Sequence, residues 1–300
     1  MAQDHVYYTT PPRGKSSNFT ERDMITIIFG APGTGKTSLN THFLQTEYKT
    51  HGRALLAQTL KRIDEINKTR VKPLALPDKP PIFANYKASF KIGYEKTFEP
   101  YYINPFYLGL VNENMPTQYL PPNSKVFISE AQRYYNSRKS STLPDWVSRL
   151  YEMHRHYGME IFLDVQRANL IDLNIKEICK RFIEVREMKH EQDYAGRILR
   201  TRFSVREFDC WRAVEQYMET GAKTFRSVTH THEGNIFRCF NSCSYFEEFL
   251  PDEGKDFKYL PFLTRAELQK AGADAAFYKS DEPAEYRGQA KKPAKEKKSA

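Results

Sequence analysis

The chain has 300 residues, of which 40% are hydrophobic and 28% charged, and its formal net charge is +9. This composition is ordinary for a globular protein, and the length allows one large domain or a domain with an appendage. No window approaches the ~18 uninterrupted apolar residues of a membrane-spanning helix. The first 23 residues lack the apolar core of a secretory signal, so we expect a cytoplasmic protein without a membrane span of its own.

The elements alternate between strands and helices after a leader, residues 1–23, that we expect to be flexible. Apolar runs of strand length and helical spacings predict the following order. We expect a strand at 24–29, helices at 36–48 and 53–70, one or two strands at 82–92, a strand ending near residue 129, a helix at 143–158, a strand at 159–166, a helix at 169–180 and a strand at 181–190. From residue 200 onward, alternating patterns predict exposed antiparallel strands on either side of the segment 209–221.

A glycine-rich stretch, "GAPGTGKT", follows the first strand and matches G-x-x-x-x-G-K-[ST] in full. Its residues are predicted to bind nucleotide phosphates: Gly30, Ala31, Pro32, Gly33, Thr34, Gly35, Lys36 and Thr37. Glycines let backbone N–H groups converge on the phosphates, and the helix N-terminus adds partial positive charge. Lys36 supplies a point charge and the Thr37 hydroxyl a Mg²⁺ ligand, so ATP and Mg²⁺ are the expected cofactors.

A second strand, "KVFISE", is the best candidate to bring an acid to that metal. The usual strand end is Asp-Glu, but here Ser129 stands in the place of the aspartate. A serine can hold a metal-bound water, although it brings no negative charge. Glu130 then occupies the position of the base that orients the attacking water. The predicted metal side of the site is therefore Thr37, Ser129 and Glu130.

The fold class that follows is α/β: a P-loop NTPase core with a mostly parallel sheet flanked by helices, plus a β-rich C-terminal extension. We divide the chain into the leader, a core at 24–196, an extension at 197–263 that completes the domain, and a tail at 264–300. The last part of the tail, residues 287–300, holds six Lys/Arg against one Glu. It is expected to be disordered, either as a solvated tail or as an electrostatic arm for nucleic acid.

A metal site of another kind is also suggested by ligand types. Four side chains suit zinc: His230, His232, Cys239 and Cys243. Their spacing does not match the usual finger order, and the segment predicts a β-hairpin with Gly234 at its turn. We therefore favour a structural role for these residues and reduced thiols for the cysteines, including Cys179 and Cys210.

Several motifs together resemble the zonular occludens toxin (Zot) family of ATPases, which includes filamentous-phage assembly proteins. The motifs are Glu130-Ala131-Gln132, Arg155-His156-Tyr157-Gly158, an apolar strand closing on Gln166, Ile171-Asp172, the strand "PIFANYKASF" and the closing segment "FRCFNSCSYF". The resemblance covers roughly residues 24–245. The family belongs with the ring-forming DNA translocases and packaging motors.

The resemblance implies roles for later residues. Gln166, at the end of the strand beside the acidic one, would hydrogen-bond both the γ-phosphate and the attacking water. Arg155 would reach the nucleotide of a neighbouring subunit as an arginine finger, with Arg149 as the competing candidate. Asp164 could be a second metal-side acid, but it is left out of the predicted site.

The resemblance also implies a motor that couples ATP hydrolysis to DNA translocation, packaging or virion assembly in a phage or mobile element. Its expected partners are DNA of unknown strandedness, further copies in a ring, and a capsid or membrane-anchored phage protein. Filamentous-phage members carry a spanning segment after the ATPase domain, and this chain shows none. Two alternatives remain open: a nucleoside or small-molecule kinase, and a scaffold that binds nucleotide but hydrolyses little.

Overall fold

A computed structural model gives the positions of most of the predicted core. It describes residues 24–68, 76–92, 96–103, 105, 108, 120, 123–138, 145–156 and 158–240. The predicted leader, the tail and Cys243 lie outside these residues.

The described residues form one large sheet, a two-stranded antiparallel sheet and four α-helices. The elements in chain order are β1 Ile25–Phe29, α1 Lys36–Asn67, β2 Ile82–Ala84, β3 Phe90–Ile92, β4 Lys96–Phe98, β5 Tyr101–Tyr102, β6 Lys125–Ile128, α2 Asp145–Met153, β7 Glu160–Val165, α3 Leu173–Ile178, β8 Arg181–Gln192, β9 Ile198–Phe208, α4 Trp211–Thr220 and β10 Arg226–Glu233. The large sheet has the order β10-β9-β8-β1-β7-β6-β2-β5, and β3 pairs with β4.

Six neighbouring strands of the sheet, from β8 to β5, run parallel. The strand β9 pairs antiparallel with β8, and β10 pairs antiparallel with β9. This arrangement confirms the predicted α/β fold with a mostly parallel sheet. Because β9 and β10 continue the same sheet, the β-rich extension is joined to the core by backbone hydrogen bonds.

The central strand β1 is buried on both faces, as a parallel strand covered by helices must be. One face of the sheet packs against α2, α3 and α4 through a cluster that includes Val147, Ile175 and Val214. The other face packs against the first turns of α1, where Leu39 and Phe43 contribute, and against the β3–β4 hairpin. The carboxyl ends of β1, β6 and β7 therefore meet at one edge, between two packed layers.

Two local predictions were wrong. Instead of two helices, residues 36–67 form one, and Gly52 lies inside it. A Cβ at Gly52 would lie 3.3 Å from both Pro80 and Tyr48, so close packing explains this glycine better than a helix break does. The second error concerns Gly234: β10 pairs with β9, and the chain then forms a short 3₁₀ helix, Ile236–Arg238, instead of a hairpin.

Candidate nucleotide-binding site

The phosphate loop joins the carboxyl end of β1 to the first turn of α1. Its glycines Gly30, Gly33 and Gly35 have φ angles of 154°, 79° and 93°, a region that residues with a Cβ rarely adopt. Lys36 Nζ donates a hydrogen bond of 3.0 Å to the carbonyl oxygen of Ala31. The ammonium group is thereby folded back over the loop, beside the amides of a helix N-terminus that suits phosphate.

The tip of the loop is formed by Ala31, Pro32 and Gly33, which are all exposed. Thr34 closes this turn, since its backbone N–H and its Oγ1 both donate to the Ala31 carbonyl, at 3.3 and 2.9 Å. All eight residues predicted from the motif thus form one continuous loop at the start of α1.

The strand β8 forms the side of the loop. A Cβ at Gly30 would lie 2.6 Å from the carbonyl oxygen of Val185, and one at Gly35 would lie 2.8 Å from Met188 Sδ. The β8–β9 register shifts between Val185 and Glu187, which is a β-bulge next to the phosphate loop. These two glycines are therefore required both by backbone conformation and by lack of space.

The end of β6 lies next to the start of α1. Thr37 Oγ1 and Ser129 Oγ are 3.2 Å apart, although 92 positions separate them in the chain. Asn85, just after β2, accepts a 2.7 Å hydrogen bond from the Ser129 backbone N–H and donates one of 3.0 Å to its carbonyl. The two hydroxyls that the sequence assigns to the metal are thus adjacent, and Asn85 holds the strand end in place.

Directly behind Ser129 lies Asp164 of β7, which is fully buried. Its Oδ1 accepts hydrogen bonds from Ser129 Oγ at 2.9 Å and from the Glu130 backbone N–H at 3.0 Å. Its Oδ2 accepts one of 3.2 Å from Asn40 Nδ2 on α1. Sequence reasoning left this residue out, although a lone carboxylate within the otherwise apolar end of "EIFLDV" was a signal for it.

Glu130 lies at the mouth of the site in a left-handed backbone conformation, with φ of 51°. Such a conformation in a residue other than glycine is strained and is often found at functional sites. Its Oε2 accepts a hydrogen bond from Gln132 Nε2 and a long one of 3.5 Å from Gln166 Nε2. Glu130 and Gln166 are thus together at the carboxyl edge, as predicted.

The charges of the site influence one another. Burial lowers the pKa of Lys36, while the carboxylates of Asp164 and then Glu130 act in the opposite direction. Burial raises the pKa of Asp164 from 3.8 to about 6, although the hydrogen bonds from Ser129 and from the Glu130 amide oppose this shift. The site therefore holds one cation and two carboxylates in a poorly hydrated space.

Arg155 is not part of this group. It is exposed and lies in the turn between α2 and β7, at the amino end of β7, whereas Gln166 follows the carboxyl end of the same strand. A strand of this length spans about 20 Å. Arg149, on α2, is also exposed. Arg155 therefore lies at the opposite end of β7 from Gln166, and a role for it at a nucleotide would require a neighbouring subunit.

The donor atoms fit the expected cofactor. Magnesium in proteins is bound by oxygen ligands, commonly one or two side chains together with phosphates and water. The cluster offers two hydroxyls, Thr37 and Ser129, and two carboxylates, Glu130 and Asp164, beside a loop shaped for phosphate. In the described ranges no group of three or more His, Cys, Asp or Glu side chains could hold a metal ion, so here the hydroxyls and the phosphates would have to supply ligands.

The strand, phosphate loop and helix, set in this parallel sheet, define the fold of a P-loop NTPase. Comparison with protein families adds that residues 110–235 match the model described as zonular occludens toxin (Zot). This match confirms the resemblance that the sequence motifs indicate. The matched segment includes Ser129, Glu130, Asp164 and Gln166, and the phosphate loop precedes it.

Solved structures similar to this chain include three from different sources. The N-terminal domain of zonular occludens toxin from Neisseria meningitidis is 16% identical, with a TM-score of 0.39, over 73% of this chain and 98% of that one. The genome packaging NTPase B204 from Sulfolobus turreted icosahedral virus 2, in complex with ATP-gammaS, is 10% identical, with a TM-score of 0.36, over 72% and 100%. A KaiC-like protein from Pyrococcus horikoshii OT3 is 12% identical, with a TM-score of 0.32, over 71% and 85%.

No curated protein matches the chain. Among the helices in the described part of the chain, none has the length and apolar character needed to cross a membrane.

Proposed function

We propose that this protein is a Zot-type ATPase that couples ATP hydrolysis to the movement or packaging of DNA in a phage or mobile element. The observation that carries the proposal is the convergence of the phosphate loop with Ser129, Glu130 and Gln166 at one edge of the sheet. These groups come from three neighbouring parallel strands, so the phosphate-binding loop and a carboxylate able to activate water face the same space.

In the proposed reaction, a water attacks the γ-phosphorus of ATP while the bond from that phosphorus to the β–γ bridging oxygen breaks. Glu130 orients the water and accepts its proton, which passes on to solvent, and ADP and phosphate are the products. Lys36 and the loop amides hold the phosphates. Mg²⁺, when bound by Thr37 and Ser129, neutralises charge on the phosphate oxygens. Gln166, exposed beside Glu130, would contact both the water and the γ-phosphate in this reaction.

The partners that we propose are DNA, further copies of the chain in a ring, and a capsid or membrane-anchored phage protein in the host cytoplasm. Support comes from the Zot match over residues 110–235 and from the net charge of +9. The position of Arg155 on the edge opposite Lys36 also suits a ring, because only an adjacent subunit could present it to a nucleotide. A finger of this kind raises turnover by about 10³–10⁵-fold.

The test is ATPase turnover of the full chain with single-stranded DNA, double-stranded DNA and no DNA. Glu130→Gln should lower turnover by about 10²–10⁴-fold, the range for loss of a general base, and should leave binding of a fluorescent ATP analogue intact. Glu177→Gln, on the exposed side of α3, is the matched control and should behave as wild type. Lys36→Ala should weaken binding itself.

Three results would refute the proposal. Full turnover by Glu130→Gln would remove the assigned base. Transfer of phosphate to a nucleoside, with no free phosphate released, would identify a kinase. Turnover at background level with every DNA tested would favour a nucleotide-binding scaffold. Mass measurement with and without nucleotide tests the ring: a particle that stays monomeric in both conditions would contradict it.

A further inference from the structure

The proposed site has an unusual distribution of charge. P-loop ATPases commonly hold Mg²⁺ with the hydroxyl of the loop and an aspartate at the end of a neighbouring strand. Here that strand ends in Ser129, which is neutral. The structure nevertheless has a carboxylate one hydrogen bond away, on the adjacent strand β7, where Asp164 Oδ1 lies 2.9 Å from Ser129 Oγ.

We propose that Asp164 supplies the missing negative charge as a positioning residue, acting on the metal side of the site through the Ser129 hydroxyl. This inference rests on the proposed function, since it names the acid of that same site. Compared with the common arrangement, the acid lies on β7 instead of at the end of β6, and the Ser129 hydroxyl connects it to the site by a hydrogen bond.

The hydrogen-bond directions support this arrangement. A hydroxyl has one proton to donate and two lone pairs that accept. Because Asp164, as a carboxylate, can only accept, the Ser129 proton points toward β7. The lone pairs of Ser129 Oγ then point away from Asp164, and Thr37 Oγ1 lies 3.2 Å from that oxygen. Asp164 therefore turns a neutral hydroxyl into an oriented acceptor and makes that oxygen more electron-rich.

The register of β6 and β7 explains why Ser129 and Asp164 lie within hydrogen-bond distance. The strands β6 and β7 are parallel, with Ile128 opposite Leu163, so Ser129 and Asp164 are the next pair along. The Glu130 backbone N–H donates to the same Oδ1 atom. One carboxylate oxygen thus holds both the serine and the residue that carries the proposed base.

A purely structural role would not require a charge at this position. Asp164 is fully buried, and among the described residues no Lys, Arg or His lies within ion-pair distance of it, although its charge acts on Lys36. Burying a carboxylate without such a partner is costly. A neutral asparagine would keep the hydrogen bonds to Ser129 and Glu130. Asn40 could also accept from it, since its Oδ1 is buried without a hydrogen-bond partner among these residues.

The experiment measures the metal response of nucleotide binding separately from turnover. A fluorescent ADP analogue is titrated into the full chain first in EDTA and then at increasing Mg²⁺. Binding of Mn²⁺ to the nucleotide complex is followed by electron paramagnetic resonance. The variants are Asp164→Asn, Ser129→Ala, and Ser129→Asp combined with Asp164→Asn. Asp172→Asn is the matched control, because Asp172 is another buried carboxylate, which accepts a hydrogen bond from the Asn174 amide.

Asp164→Asn should leave the affinity for ADP in the absence of metal within about twofold of wild type. It should raise the half-saturating Mg²⁺ or Mn²⁺ concentration about 10–100-fold, which is the usual effect of removing a residue that hydrogen-bonds a metal ligand. Ser129→Ala should give a similar shift. The combined variant, which returns the acid to the end of β6, should recover most of the loss. Asp172→Asn should respond to metal as wild type does.

The inference is overturned if Asp164→Asn has the wild-type metal response, or if its affinity falls equally with and without metal. If Asp164→Asn does not fold, the Ser129→Ala and combined variants still decide the matter. A failure of this inference alone would leave the wild-type chain with turnover that depends on Mg²⁺ and Lys36. A wild-type chain that binds no nucleotide in either condition would refute the proposed function as well.

Discussion

The pH dependence of stability provides a test of the packing between α1 and β10. His42 of α1 and His232 of β10 lie with their Nδ1 atoms 3.4 Å apart, and His230 lies nearby, with its ring tilted and its centroid 6.3 Å from that of His42. Burial first, and then the neighbouring His232, His230 and Lys49, lower the pKa of His42 to about 4.

His232 behaves in the same way. Burial and, to a smaller extent, Lys49 lower the pKa of His232, Glu233 acts in the opposite direction, and the resulting pKa is about 4. Both histidines therefore remain neutral in the folded chain at a pH where the unfolded chain takes up protons. Their contribution to stability is complete above the unfolded pKa of about 6.5 and is lost as the pH falls through the folded value.

The magnitude follows from these values. Between pH 7 and pH 5 each histidine reduces the free energy of unfolding by about 2 kcal/mol, or about 4 kcal/mol for the pair. Asp164 acts in the opposite sense, because its pKa in the folded chain is raised to about 6. Its protonation in the folded chain adds about 1 kcal/mol to the free energy of unfolding between pH 7 and pH 5. Glu207, with a pKa lowered to about 2, contributes only below this range.

The expected net loss is therefore about 3 kcal/mol from pH 7 to pH 5. Urea unfolding at pH 7, 6 and 5 measures it in wild type, in His42→Gln and in the control His156→Gln, whose histidine is exposed in the turn after α2. His42→Gln should reduce the loss by about 2 kcal/mol, and the control should not change it. Equal pH dependence in wild type and His42→Gln would refute the argument.

Two further predictions concern backbone space and a buried charge. Gly30→Ala should destabilise the fold by at least about 1–3 kcal/mol because of its strained φ, and its Cβ would in addition lie 2.6 Å from the Val185 carbonyl oxygen. Thermal unfolding and nucleotide binding measure the loss, and an unchanged melting temperature would contradict the prediction. Lys125 is buried in ion pairs with Glu160 and Glu47, so Lys125→Met should cost about 3–5 kcal/mol by removing the cation from beside these two acids. Adding Glu160→Gln should recover much of this in urea unfolding, and an equally unstable double variant would disprove the explanation.

Much of the site could be predicted from local sequence. The phosphate loop is a continuous run whose chemistry depends on backbone conformation, so the glycines at positions 30, 33 and 35 indicated it directly. Glu130 was found because it follows an apolar strand, and Gln166 because the Zot resemblance implies a role for it at the end of the neighbouring strand; parallel strands end at the same edge of a sheet. Their pairing at 3.5 Å agrees with that reasoning.

Other features depended on packing that local patterns do not report. Gly52 lies within α1 at a point where a Cβ would be in tight contact with Pro80 and Tyr48, at 3.3 Å from each, whereas an isolated glycine lowers confidence in a helical pattern. Gly234 precedes a 3₁₀ helix because β10 takes β9 as its partner, and strand pairing is set by distant residues. In both cases the tertiary contact was stronger than the local tendency.

By itself, the sequence determined the class of fold, the phosphate loop and the strand ends that surround it, because each of these is encoded in a short contiguous pattern. Only the tertiary structure showed which carboxylate lies behind Ser129, and that carboxylate is the acid that we propose for the metal side. Ser129 and Asp164 are 35 positions apart and on different strands, and their hydrogen bond exists because the β6–β7 register places them opposite each other. A carboxylate acts through its position in space, so a site can keep its charge when the residue at the expected place is neutral.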